Sequence, residues 1–281
     1  MPRDYRRSAL RRDGGASGRA APRAPRGFAI QSRRVLLDLL LAPFLAQADA
    51  PPRPGPAAAC PQDMVLVEGT HHEDVQRICT SYRGGHCFSF FPGLFAAEPR
   101  FTPVRTCMDR HEWPNRAGAL PVVMLRYVEA ERECAAVGKR LCTEFEWELA
   151  CEGPSALPFP YGHAHDPAAC NVSKPYRGIS ERRLASDDPA VRAAETQRLW
   201  QGEPSGSYPA CVSPYGVVDL VGNVEEWVST SRPEWPHPSS LKGGYWSKPW
   251  AGCRGTNDSH GPMFRFYEIG FRCCKEPRAG T

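Results

Sequence analysis

The sequence predicts an α+β domain with low regular secondary structure. Three observations carry that expectation: only two stretches show helix signals, the strand signals are short and scattered, and Pro, Gly, Asn and Asp recur through most of the chain. Twelve cysteines, all from Cys60 onward, offer the cross-links a loop-rich fold needs. With 281 residues, 41% of them hydrophobic, there is apolar material for one large domain.

Residues 1–50 read as a signal peptide. An Arg-rich stretch ends in Ser32-Arg33-Arg34, an apolar run occupies 35–46, and Ala48-Asp49-Ala50 supplies an Ala-x-Ala cleavage site. The run is too short for a membrane span, which takes roughly 20 apolar residues. The paired Arg33 and Arg34 leave two export routes open, a twin-arginine signal and a general secretory signal that carries two arginines. Residues 51–63 form a Pro/Ala-rich linker. The first strand signal, at 64–67, opens a domain that runs to residue 281, and the segment 70–107 reads as irregular and Cys-rich. A helix is expected from Pro121 to Gly138, a C-cap glycine. A second starts at Thr143, which forms a capping box with Glu146, and ends at Gly153-Pro154. Beyond lies mostly loop, with short strands at 215–220, 226–228 and 270–274.

The basic excess belongs to the signal. Of 35 basic and 31 acidic residues, ten Arg and four acids lie in 1–50, so 25 and 27 remain beyond it. A near-neutral domain of this kind argues against nucleic acid and anionic membrane as partners. An even cysteine count confined to the exported part reads as disulfides in an oxidising compartment, hence a bacterial periplasmic, cell-surface or secreted protein. No Cys-x-x-Cys pair suggests zinc. His71-His72 and His163 with His165 form no recognisable facial triad and are expected as exposed loop histidines.

Six collinear blocks resemble a known family. They are Met108-Asp109-Arg110-His111-Glu112 with Asn115; Gly138-Lys139-Arg140-Leu141-Cys142-Thr143-Glu144-Phe145-Glu146-Trp147-Glu148-Leu149-Ala150; Phe159-Pro160-Tyr161-Gly162 with Asn171-Val172; the stretch from Tyr215 through Asp219 and Gly222-Asn223 to Trp227; Leu241-Lys242-Gly243-Gly244-Tyr245-Trp246; and Gly270-Phe271-Arg272. Together they resemble the formylglycine-generating-enzyme, or sulfatase-modifying-factor, family. The resemblance implies a C-type-lectin-like variant of the α+β class. It also implies oxidation of a sulfatase Cys with oxygen and copper held by two thiolates, four and nine residues after the second Gly of the Gly-Gly block. Here those positions are Lys248 and Cys253. An ammonium cannot replace a thiolate ligand, so the resemblance stops short of the activity and argues against copper or iron.

The resemblance further implies disulfides Cys134 to Cys273 and Cys151 to Cys253, and for Cys253 two readings stay open, bridge and copper ligand. Such bridges are worth about 2 to 4 kcal/mol each. It implies calcium at Asp219, Gly222, Val224 and Glu226, where two carboxylates bracket two carbonyls, against a solvated acidic turn as the alternative. A second ion would use Asn171 and the Val172 carbonyl, with Asp187 and Asp188 as the nearby acids. The function expected is recognition of a peptide, protein or glycan in a groove formed by Tyr245, Trp246, Lys248, Trp250 and Arg254, without formylglycine formation. A metal-dependent oxidoreductase with an altered copper or nonheme-iron site is the alternative.

Overall fold

The computed structural model describes residues 59–95, 99–232, 236–248 and 252–278. The expected signal peptide, the linker up to residue 58 and Trp250 lie outside the described residues. The domain opens on β1 (Met64–His72), continues through the hairpin of β2 (Cys79–Arg83) and β3 (His86–Phe90), and returns in β4 (Phe101–Asp109). β1 and β4 pair antiparallel in unbroken register, from Met64 opposite Asp109 to His72 opposite Phe101. Roughly half of the segment 70–107, expected as irregular, is therefore strand. Its polar and glycine residues conceal the alternation: beyond Glu68 the only buried residue of β1 is His71.

The first helix, α1 (Tyr127–Ala136), begins later than the sequence suggests. Residues 121–126 stay outside it, Met124 takes a left-handed φ of 66°, and the Arg126 amide donates to the Glu129 carboxylate to start the helix. Gly138 closes it at φ 69°, as the C-cap glycine requires. After β5 (Arg140–Leu141) comes α2 (Glu144–Glu152), whose capping box is complete: Glu146 N donates to Thr143 Oγ1 at 3.3 Å, and Thr143 N donates to Glu146 Oε2 at 2.7 Å. α2 is buried almost all round, its glutamates included. Two helices replace expected loop, α3 (Glu181–Leu184) and α4 (Pro189–Leu199). Asp188 caps α4 through the Ala190 amide, and Pro189 occupies the first turn. Only Glu195 and Leu199 of α4 are buried, so no apolar stripe announces it.

The second sheet has the order β8 (Thr256–Asn257), β7 (Ser239–Lys242), β6 (Glu225–Ser229), β9 (Ile269–Phe271), with β6 and β9 parallel. The chain then crosses at Arg272 into β10 (Cys273–Lys275), which inserts between β4 and β5 in the first sheet. The strand expected over 270–274 is thus two strands in two sheets. The strand expected over 215–220 is a turn, with Asp219 at φ 57°.

All twelve cysteines are paired. Cys134–Cys273 and Cys151–Cys253 are two of the bridges. The others are Cys60–Cys107, Cys79–Cys87, Cys142–Cys274 and Cys170–Cys211. Trp147, Trp227 and Trp246 are the largest fully buried side chains and anchor the core around the second sheet.

Candidate cleft beside Lys248

Strand alternation separates two adjacent glutamates. Glu226 points into the core, whereas Glu225, the first residue of β6, faces a cavity of about 530 Å³ lined by Asn257, His260, Phe264, Phe266 and Glu268. Parallel pairing with β9 brings Glu268 alongside: Glu225 N donates to Glu268 O at 2.9 Å. Lys248 reaches in from the loop after Trp246, with Nζ donating to Glu225 Oε1 at 2.5 Å and lying 5.5 Å from the centre of the Tyr245 ring. Asn257 Nδ2 donates to Glu225 Oε2 at 3.3 Å. One carboxylate is therefore held by two donors.

Glu268 is different. It is buried, its Oε2 has no hydrogen-bond partner among the described residues, and burial followed by the neighbouring Glu225 charge pushes its carboxyl well above the usual range. A raised pKa favours the protonated carboxyl, the form that donates to a ligand carbonyl or hydroxyl. Burial raises Tyr245 to about 12, with Glu268 contributing, so the phenol stays neutral as well. The cleft thus offers one ion pair, neutral donors and aromatic edges, a set suited to amides or sugar hydroxyls.

The groove set from the sequence does not hold together. Trp246 is fully buried, packed edge-on against Trp200 and beside Tyr267, and cannot roof a groove. Its sequence signal, an aromatic after Gly-Gly, does not distinguish core from rim. Arg254 turns to α2, where it pairs with Glu152 at 2.6 Å and approaches Glu148 at 3.4 Å. Of the described members of that set, Tyr245 and Lys248 belong to the cleft. Glu225, Glu268 and Asn257 went unnoticed in the sequence; the Glu225-Glu226 pair next to Trp227 was the available signal, since alternation sends one of them outward.

His71 also departs from expectation. It is fully buried on β1, stacks on Phe145 at 4.3 Å and lies 2.7 Å from Glu148. Glu148 is held in turn by Lys242 at 2.6 Å, and Glu144 by Arg232 at 3.0 Å. The glutamates at 144, 148 and 152, one turn apart on α2, therefore form a buried ladder of ion pairs.

Behind the cleft, Glu226 meets Arg272 in a bidentate pair, both contacts 2.7 Å, and its Oε2 also accepts from Trp147 Nε1 at 2.8 Å. Asp219 Oδ2 accepts from Gly206 N at 2.6 Å. Glu112 Oε2 accepts from Asn223 Nδ2 at 2.8 Å. Three buried carboxylates thus face one guanidinium; burial, with neighbouring carboxylates, pushes Glu112 well up and Asp219 up. The excess negative charge fits a bound cation, but Glu226 is not presented to one, because Arg272 and Trp147 occupy both its oxygens. The fold does bring Asn171 to this turn: Asn223 N donates to Asn171 O at 2.9 Å. Asn171 Oδ1 is buried without a partner, as an ion ligand would be before its ion binds. Asp188 is occupied in capping α4, and Arg192 takes the Asp187 carbonyl.

A family model, the sulfatase-modifying factor enzyme 1-like domain, matches residues 67–277. The chain belongs to that family. It is 32% identical over 124 residues to the formylglycine-generating enzyme of Mycobacterium tuberculosis, covering 44% of this chain and 36% of that protein. It is 35% identical over 124 residues to the hercynine oxygenase of Mycolicibacterium smegmatis, covering 42% and 24%. Against the inactive C-alpha-formylglycine-generating enzyme 2 of Mus musculus, identity is 29% over 162 residues, covering 55% and 48%. The matches span less than half the length of each relative. Among solved structures, PvdO from Pseudomonas aeruginosa superposes with a TM-score of 0.52 at 18% identity, over 80% of this chain and all of that one, which shows the shared α+β fold.

Within the family, this member lacks a fit for copper at the position the resemblance indicates. Cys253 is bonded to Cys151 with Cα atoms 5.4 Å apart, and Lys248 is salt-bridged to Glu225. No thiolate pair is left to hold a soft metal there.

Proposed function

We propose that this chain is an exported, disulfide-locked family member that does not form formylglycine and instead binds a peptide segment in the cleft beside Lys248. The observation that carries this is the Lys248–Glu225 ion pair standing where the first thiol belongs, with the second thiol tied up in Cys151–Cys253. The Asn257 amide, and Glu268 in its protonated form, supply donors for backbone carbonyls, and Phe264 and Phe266 supply apolar contact. Glycan hydroxyls are the other ligand chemistry such a cleft suits. Export is supported by the signal-like run before residue 50 and by six disulfides; among the described residues no helix is long and apolar enough to cross a membrane.

Calcium belongs to the proposal as a stabilising ion. Asn171 Oδ1 and the Val172 carbonyl would hold it from one side, with Asp219 and the carbonyls of Gly222 and Val224 from the other; Glu226 would join only by releasing Arg272. Competition with a chromophoric copper(I) chelator tests the metal side. The intact protein should not withdraw copper, and the double variant Lys248→Cys, Cys151→Ala, which provides two thiols, should. Binding of arrayed peptides that is lost in Lys248→Ala tests the ligand side. A redox metal retained by the purified protein would instead favour an oxidoreductase.

A further inference from the structure

Arg265 is a wall shared by two cavities. One is the cleft described above; the other, about 670 Å³, lies between the 120–125 segment and α4. Leu120, Val123, Met124, Ala193 and Trp200 make its sides largely apolar. Leu120 remains 54% exposed and the neighbouring Val122 37%, so apolar surface continues to the mouth. None of these residues falls in the blocks that carry the family resemblance, and the family's chemistry does not account for the cavity.

Three charged groups stand at its rim: Glu129, Arg192 and Arg265. Glu129 is occupied by the Arg126 amide at 2.8 Å and by Arg126 Nη1 at 3.5 Å. Arg192 directs Nη1 to the carbonyls of Ser186 and Asp187. Arg265 is half-buried and makes no hydrogen bond or ion pair among the described residues. Partial burial, then the neighbouring charges of Arg126 and Arg192, lower its pKa, opposed by the carboxylates of Glu129 and Asp187 nearby. A partly buried guanidinium with no direct ion pair is free to take a planar carboxylate, which it meets bidentately. The apolar walls gain from whatever hydrocarbon that carboxylate carries.

We infer that this cavity binds an amphipathic carboxylate, with the acid on Arg265 and an apolar chain between the Leu120–Met124 segment and α4. It is a site separate from the cleft and does not depend on the function proposed for it. Its size lies within the usual range for small-molecule sites, about 300 to 1,000 Å³.

Isothermal titration of the full chain with sodium dodecanoate, kept below its micelle concentration, tests this. One saturable site is expected, with dodecanol and dodecylammonium at least tenfold weaker and acetate without measurable binding. Arg265→Gln should weaken dodecanoate at least tenfold, because the charge is lost while a polar side chain remains. Ala193→Trp, which fills the cavity from an exposed helix position, should abolish binding, and Lys248→Ala should leave it unchanged. Equal affinity for the alcohol and the acid, unaltered binding in Arg265→Gln or Ala193→Trp, or acetate binding as tightly as dodecanoate would overturn the assignment. The ligand series on the unaltered chain decides the matter even if a variant fails to fold.

Discussion

Lys248 and Glu225 form one charge pair beside the cleft, with little exposed surface. Glu268 beside them adds a titration that can be read directly. Its folded pKa lies above its ordinary value of 4.5, raised by burial and then by Glu225. The folded state therefore binds the proton more tightly, and the stabilisation is fully present below about pH 4.5 and is lost as pH climbs through the folded value. Glu268→Gln removes that titration. Thermal melts from pH 5 to 9 should show a shallower decline for the variant than for the unaltered protein, and parallel curves would contradict the assignment. Lys248 could be found by counting from Gly244; Glu268 could not, since only the parallel pairing of β6 with β9, a long-range contact, places it next to Glu225.

At the scale of elements, α2 shows how a fold with few long helices and strands buries charge. Glu148 is nearly enclosed; burial pushes its carboxyl up, but Lys242, His71 and Arg254 outweigh this and hold it well below the usual range. A depressed carboxylate stabilises above its unfolded pKa, and that contribution disappears as pH falls through the folded one. Glu148→Gln leaves Lys242 and Arg254 short of a partner, so it should lower stability at neutral pH by about 3 kcal/mol and also reduce the sensitivity to acid. Denaturant melts at pH 7 and below pH 3 measure both; an unchanged midpoint at pH 7 would show that the ladder contributes nothing. The N-terminus of α2 was legible because a capping box is local chemistry. α4 was not, because a helix resting on the surface with two buried side chains carries no apolar period, and β1 was only half legible because its later residues alternate between polar and polar.

For the whole molecule, cross-links and turns do the work that extensive sheets do elsewhere. Two of the six bridges, Cys134–Cys273 and Cys151–Cys253, were anticipated through family positions; the other four pairings needed the fold, since spacing along the chain does not reveal which loops meet. The six collinear blocks made the fold class readable from the sequence, whereas the groove was not, because Trp246 and Arg254 serve the core and α2. If calcium sits between Asn171 and Asp219, chelation should lower the melting temperature by about 5 °C or more at saturating ion. Asn171→Ala should lose that response. A chelator without effect on the unaltered protein would remove calcium from the account.

The central proposal is that this family member does not form formylglycine. Its most direct test is incubation of the copper-supplemented, disulfide-intact protein with a Cys-x-Pro-x-Arg peptide, read by mass spectrometry for the aldehyde. No product above a metal-only control is expected, because Lys248 cannot ligate copper while paired with Glu225 and Cys253 is bonded to Cys151. Turnover above that control would contradict the account.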